Sequence, residues 1–133
     1  MTLSGGCFCG AVRFETDGAP FNSTLCHCAD CRRVSGAPAV AWFSVPTNTL
    51  RWLAGQMQVR RSSPQAVRGF CAACGTTLTY QNDSWPDEID IATASLDDPN
   101  LVPPLDHTFV RSRLDWLKLD DGLPQFQTTR TNS

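Results

Sequence analysis

The sequence predicts a mainly β, sandwich-like single domain with few or no long helices, on three observations. Short stretches alternate apolar and polar residues, as half-buried strands require. Nine prolines and nine glycines break the chain at short intervals, which suits brief strands joined by tight turns. No apolar repeat at helical spacing continues beyond two turns.

The elements follow in order. In residues 11–16, Val12 and Phe14 face one way and Arg13 and Glu15 the other, a half-buried strand. Ala39 to Val45 is almost wholly apolar and ends at Pro46, which predicts a strand covered on both faces. Leu50 to Leu53 and Met57 to Arg61 flank Ala54 and Gly55 and read as a hairpin. Further strands are expected at Ala66 to Phe70, Thr76 to Tyr80 and Ile89 to Ala94. Helical turns are expected only near Ala29 to Val34 and after Asp97 and Asp98. A chain of 133 residues is the size of one domain with one core. That domain is expected over residues 1–127, and the polar Thr128 to Ser133, with no apolar anchor, is expected to fray.

Eleven basic and thirteen acidic residues give a formal charge of −2, and the signs are interspersed. Nothing forms the basic stripe that grips a phosphate backbone, so nucleic acid is not expected as a partner. Met1 to Gly10 lacks a basic start and an apolar run, and no apolar stretch reaches the ~18 residues of a membrane helix. A cytoplasmic protein with no membrane partner is the expectation; the oligomeric state is left open.

Seven cysteines are many for this length, and in a reducing compartment such density points to metal rather than disulfides. They fall into three groups: Cys7 and Cys9; Cys26, Cys28 and Cys31; Cys71 and Cys74. In extended chain residues i and i+2 face the same way, so Cys7 and Cys9 can aim both sulfurs at one ion. A two-residue gap such as Cys71 to Cys74 makes a zinc knuckle, and Gly10 and Gly75 supply the permissive backbone behind each half-site. Together the two half-sites make a closed set of four sulfurs. The middle group has three sulfurs and no fourth to spend, the usual donor count of a catalytic zinc with an open position, against the alternative of a second structural site completed by His107 or, less readily, His27. Two Zn2+ per chain are therefore expected, one structural on Cys7, Cys9, Cys71 and Cys74 and one catalytic on Cys26, Cys28 and Cys31. A bound thiol is ionised near neutral pH and a bound carbonyl is polarised, so the open site suits sulfur attack on an aldehyde.

Three sequence blocks carry a family resemblance: Gly5-Gly6-Cys7-Phe8-Cys9-Gly10; Cys26-His27-Cys28-Ala29-Asp30-Cys31-Arg32 with Ser35-Gly36; and Phe70-Cys71-Ala72-Ala73-Cys74-Gly75-Thr76. Ser95 to Pro99, His107, Trp116-Leu117 and Gly122 to Pro124 extend it over nearly the whole chain. The sequence resembles the glutathione-dependent formaldehyde-activating enzymes and their relatives, which include centromere protein V. The resemblance implies a mostly β fold and the same division of the seven cysteines. It further implies a carbon–sulfur lyase that joins a small-molecule thiol, such as glutathione, to formaldehyde or a related aldehyde. Those enzymes are longer than this chain, and their additional segments help to enclose glutathione.

Other residues near the open site are weighed singly. Arg32 and Arg33 directly follow the triplet, and either guanidinium suits a substrate carboxylate, against the alternative of a solvated pair. His107 is a candidate general acid or base if folding brings it to the open position. His27, between two ligating cysteines, points away from the metal in extended chain and reads as a supporting or surface residue. Asp30, Asp97 and Asp98 read as turn or cap residues, and Trp42, Trp52, Trp85 and Trp116 as mostly core. The competing expectations are a non-catalytic protein-binding module braced by zinc and, behind it, a thiol redox switch on the triplet.

Overall fold

A computed structural model of the chain describes residues 1–130. Ten strands run in the order β1 (Leu3–Gly6), β2 (Arg13–Thr16), β3 (Phe21–Cys26), β4 (Val40–Pro46), β5 (Leu50–Ala54), β6 (Gln58–Ser63), β7 (Ala66–Phe70), β8 (Thr77–Asn82), β9 (Glu88–Ala92) and β10 (His107–Thr108). Among the described residues the one α-helix is α1 (Ala29–Ser35), accompanied by four single 3₁₀ turns. The fold is mainly β in two sheets, as the sequence predicts.

The small sheet has the order β1-β2-β5, and the large one β10-β3-β4-β9-β8-β7-β6. All neighbours are antiparallel except β10, which lies parallel to β3. Phe43 and Val45 of β4 and Ile89 and Ile91 of β9 share one face of the large sheet and meet Leu3, Val12 and Phe14 of the small sheet in the main core. The other face carries Trp42, Ser44, Asp90 and Ala92, which alternate with those core residues. With both faces covered, β4 buries four consecutive residues, Trp42 to Val45, which explains its near-continuous apolar run.

The structure corrects the expected hairpin of Leu50 to Leu53 and Met57 to Arg61. Both segments are strands, but β5 pairs with β2 in the small sheet and β6 with β7 in the large one. Gly55 lies between them at φ +68, so close to the carbonyl of Ala11 that a Cβ would collide with it. The turn carries the chain from one sheet to the other instead of folding it back. The assignment of tryptophans to the core is also corrected. Trp42 is buried, but Trp85 and Trp116 are exposed, and Trp52, also exposed, packs edge-on against Phe14.

At the C-terminal end, Thr128 O accepts from Phe109 N at 3.0 Å. Arg130 forks onto the carboxylate of Asp106 and donates to Asn22 Oδ1 at 2.9 Å. Of the segment 128–133 expected to fray, residues 131–133 lie outside the described residues.

Candidate metal centres

The seven sulfurs gather into two groups. Those of Cys7, Cys9, Cys71 and Cys74 lie within 4.8 Å of one another, and so do those of Cys26, Cys28 and Cys31. No disulfide joins any of them. In the first group Cys7 and Cys9 are 3.6 Å apart and Cys9 and Cys71 3.8 Å. Four sulfurs at about 2.3 Å from a tetrahedral zinc would lie about 3.8 Å from each other, so the spacing fits such an ion.

Two turns of similar build present this first group. After β1, Gly10 N donates to Cys7 O at 3.1 Å with Gly10 at φ +82; before β8, Gly75 N donates to Cys71 O at 2.7 Å with Gly75 at φ +84. Both glycines hold the left-handed conformation that a side chain resists. Val12 N donates to Cys7 Sγ at 3.2 Å, and Phe8 N crosses to Thr76 Oγ1 at 3.0 Å. The first turn joins β1 and β2 of the small sheet and the second joins β7 and β8 of the large sheet, so this group lies between the two layers at one end. The hydroxyl of Thr76, 3.2 Å from Cys74 Sγ, draws that thiol down to about 5.

The second group sits where β3 passes into α1. Cys26 ends the strand, opposite Val40 of β4. Cys28 caps the helix, accepting from Cys31 N at 3.2 Å, and Cys31 lies one turn in. Gly36 at φ +63 closes the helix. The cysteines pack on the second face of the large sheet, with Trp42, Ala92, Tyr80 and Phe109 around them. Phe109 holds its place against them at φ +56, a strained conformation for an aromatic residue.

Hydrogen bonds with Cys28, then with Cys31, and burial drive the Cys26 thiol strongly upward. Cys28 moves the other way, to about 2, chiefly through the hydrogen bond from Cys26 and then that from Cys31. At Cys31 the bond with Cys26 acts downward, but that with Cys28 and burial outweigh it and raise the thiol. Among the three, the shifts thus favour the thiolate form at Cys28 and oppose it at Cys26 and Cys31.

The remaining expected site residues lie around this group. Asp30 is exposed on the first turn of α1, and Arg33 is exposed on the second. Arg32 Nη1 reaches the carbonyl of Ser112 at 3.5 Å. His107 is level with Leu25, whereas Thr108 is level with Cys26, so alternation puts the imidazole on the opposite face from the Cys26 sulfur. There His107 Nδ1 lies 3.0 Å from His27 Nε2 and its Nε2 2.8 Å from Asp121 Oδ2. Both rings are buried, and burial pushes His27 below the usual imidazole value. Neither histidine belongs to a converging donor group. Asp97 pairs with Arg13 at 2.6 Å and Asp98 caps the turn Pro99–Leu101 through Asn100 N, as turn and cap residues should.

Sequence reasoning missed Arg68 and Tyr80. They are opposite each other on β7 and β8, and Asp90 continues the row on β9 and Ser44 on β4. Arg68 Nη2 comes within 3.7 Å of Cys31 Sγ. The available signal was a single arginine in the otherwise uncharged run Ala66 to Phe70.

Asp90 yields a stability prediction. Burial, opposed by the hydrogen bond from Ser44 Oγ, raises its carboxyl to about 6. A folded-state value above the unfolded one means that ionisation destabilises the fold, with the loss growing as pH rises from about 4 to 6 and constant above. A shift of about two units corresponds to at most about 3 kcal/mol. Asp90→Asn keeps an acceptor for Ser44 and is expected to raise the urea midpoint over wild type at pH 8, with roughly half that gain at pH 5. Equal gains at the two pH values would refute this reading of Asp90.

The profile of the family described as glutathione-dependent formaldehyde-activating enzyme matches residues 2–112. The chain belongs to that family. A Halomonas elongata protein that bears the name of such an enzyme is 26% identical over 129 residues, covering 90% of this chain and 82% of its own. The crystal structure of a Rhodobacter sphaeroides protein has a TM-score of 0.60 at 22% identity, covering 92% of this chain and 98% of that one. That likeness concerns the fold. Family membership agrees with the resemblance carried by the three cysteine blocks, all of which fall inside the matched span.

Proposed function

We propose that this member of the family is a zinc-dependent enzyme of carbon–sulfur chemistry, formally a lyase, that joins a small-molecule thiol to a small aldehyde. Glutathione and formaldehyde are the first substrates to test, on the family description and the name of the Halomonas relative. The observation that carries the proposal is the donor count: one group converges four sulfurs and the other three. Zinc on Cys26, Cys28 and Cys31 would supply a Lewis acid and hold an added thiol ionised at neutral pH. The protein's own part is to orient and to exclude water. Cys28 and Cys31 are fixed by the first turn of α1, and Trp42, Tyr80 and Phe109 wall the group with apolar surface, where charges act more strongly than in water. Cys7, Cys9, Cys71 and Cys74 would hold a second zinc as a brace. Seven unpaired thiols accord with a cytoplasmic location, where cysteines stay reduced.

Metal analysis is expected to give two zinc ions per chain. In the cobalt-substituted protein, added glutathione is expected to change the visible spectrum through the three-sulfur site alone. Exchange spectroscopy by NMR should find faster equilibration of glutathione, formaldehyde and their S-hydroxymethyl adduct with protein than without. One metal per chain, or an unaltered exchange rate, would remove the basis for an enzyme and favour the braced binding module.

A further inference from the structure

Beside the three-cysteine group lies a buried cation with no carboxylate in ion-pair contact, Asp90 of the same row acting on it only at longer range. Arg68 on β7 is 7% exposed. Its Nε donates to Ser62 Oγ at 3.2 Å, its Nη2 reaches Cys31 Sγ at 3.7 Å, and its guanidinium carbon is 4.8 Å from the centre of the Tyr80 ring. The last nitrogen, Nη1, is buried without a hydrogen-bond partner. Among the described residues no ion pair includes Arg68. A second orphan donor adjoins the same group: Trp42, 4% exposed, packs with Cys26 and Cys31, and its Nε1 is buried and unpartnered. The Trp42 and Tyr80 rings are 6.3 Å apart, so both donors border one aromatic wall.

Burying a charged guanidinium and leaving a donor unpaired are both costly, and proteins rarely retain either without use. Offsetting the charge of the cysteine sulfurs accounts for Nη2. It leaves Nη1 and the indole N–H without a role. Both donors suit an oxygen that carries negative charge beside the sulfurs, where a dry setting strengthens the attraction.

We propose that Arg68, assisted by Trp42 Nε1, is the oxyanion receptor of the three-cysteine site. The assignment rests on the thiol–aldehyde reading above. In that reaction the thiolate sulfur forms a bond to the carbonyl carbon, and the π pair of the C=O bond moves to oxygen. Arg68 Nη1 donates to this alkoxide oxygen as its charge develops. The alkoxide then takes a proton from solvent, replacing the one that the thiol released on ionising, and the neutral hydroxyl adduct results. The same donors would receive a carboxylate oxygen of a small anion such as formate.

The test uses zinc-loaded full-length protein as wild type, Arg68→Met, Arg68→Lys and Trp42→Phe. Calorimetric titration with sodium formate measures the receptor without turnover. Arg68→Met is expected to weaken formate binding about tenfold or more, since it removes hydrogen bonds to a charged group. It is expected to lower kcat for adduct formation roughly a hundredfold, with KM for the thiol little changed, as when an oxyanion donor is lost. Zinc content and the cobalt spectral response to thiol should stay as in wild type. Arg68→Lys should fall between, and Trp42→Phe should show the smaller loss of one neutral donor. Unchanged formate affinity in Arg68→Met, or no formate binding by wild type, overturns the proposal. So does a loss of zinc from the triplet that accounts for the whole effect. If wild type does not speed adduct formation, the thiol–aldehyde reading fails while the formate titration still decides the receptor. If Arg68→Met does not fold, Arg68→Lys carries the test, and wild-type binding and kcat in that variant overturn the assignment.

Discussion

Cys71→Ser is expected to abolish the cooperative fold. Cys71 is 1% exposed and belongs to the main core with Leu3, Val12 and Phe14, so its sulfur is both a packing atom and a candidate ligand. Cys9 and Cys71 come together across 62 positions, one in the turn leaving β1 and the other in the turn entering β8. With a metal bound, the group would therefore fasten the small sheet to the large one, and the two sheets share no ladder. Metal binding in such sites supplies on the order of 10 kcal/mol of folding free energy, comparable with the roughly 5–15 kcal/mol that a whole domain has. Serine keeps the size of the side chain but is a poor zinc ligand, and it sets an unpaired hydroxyl in the core. The variant should lose the sigmoidal urea transition, bind at least one metal fewer and be cut rapidly by protease. Phe8→Ser, in the same turn but at a side chain 93% exposed, should leave the transition in place. A Cys71→Ser protein with the wild-type midpoint would show that this group does not hold the sheets together.

What was legible in the sequence is what depends on near neighbours in the chain. The knuckle turns, the strand Ala66–Phe70 and the turn that became α1 rest on spacings of a few residues, and all three were expected close to where they lie. Sheet membership depends on distant partners. The turn at Ala54-Gly55 signals a reversal but not which strands it serves, so β5 and β6 passed for a hairpin. β1 went unseen because Leu-Ser-Gly-Gly has little strand propensity. Its glycines are explained by close neighbours: a Cβ on Gly5 would collide with Ser95, Phe14 and Leu96, and one on Gly6 with Val12 and Arg13. β10 is two residues long and pairs with β3 across 82 positions, too short a run for any pattern. The sulfurs of the site were legible for the same reason as the turns, since three cysteines within six residues can meet locally. Arg68 was not, because its approach to Cys31 spans 37 positions and depends on β7 lying three strands away from β4.

Cys28→Ser should separate chemistry from folding. Cys28 is the N-cap of α1, its sulfur accepting from Cys31 N, and serine is among the residues that cap best, so the helix should keep its start. The triplet adjoins a small secondary cluster, apart from the main core and from the four-sulfur group between the sheets. Stability should therefore change little. The donor set changes a great deal: the three-sulfur group loses the thiol whose neighbours favour its ionisation, and serine does not ionise in its place. Zinc content is expected to fall from two to one per chain while the urea midpoint stays near wild type. The enhancement of thiol–aldehyde exchange should drop by roughly a hundredfold or more, the scale of losing one preorganised electrostatic contribution. The cobalt-substituted variant should keep the spectrum of the four-sulfur site and show no response to glutathione. Metal uptake supplies a second check. Because burial and the neighbouring sulfurs raise the Cys26 and Cys31 thiols, and zinc takes thiolates, wild-type zinc binding at this site should release protons and weaken as pH falls. Cys28→Ser should lack that pH-dependent uptake. Retention of both metals, or exchange at the wild-type rate, would mean that the chemistry does not occur at the three-cysteine group.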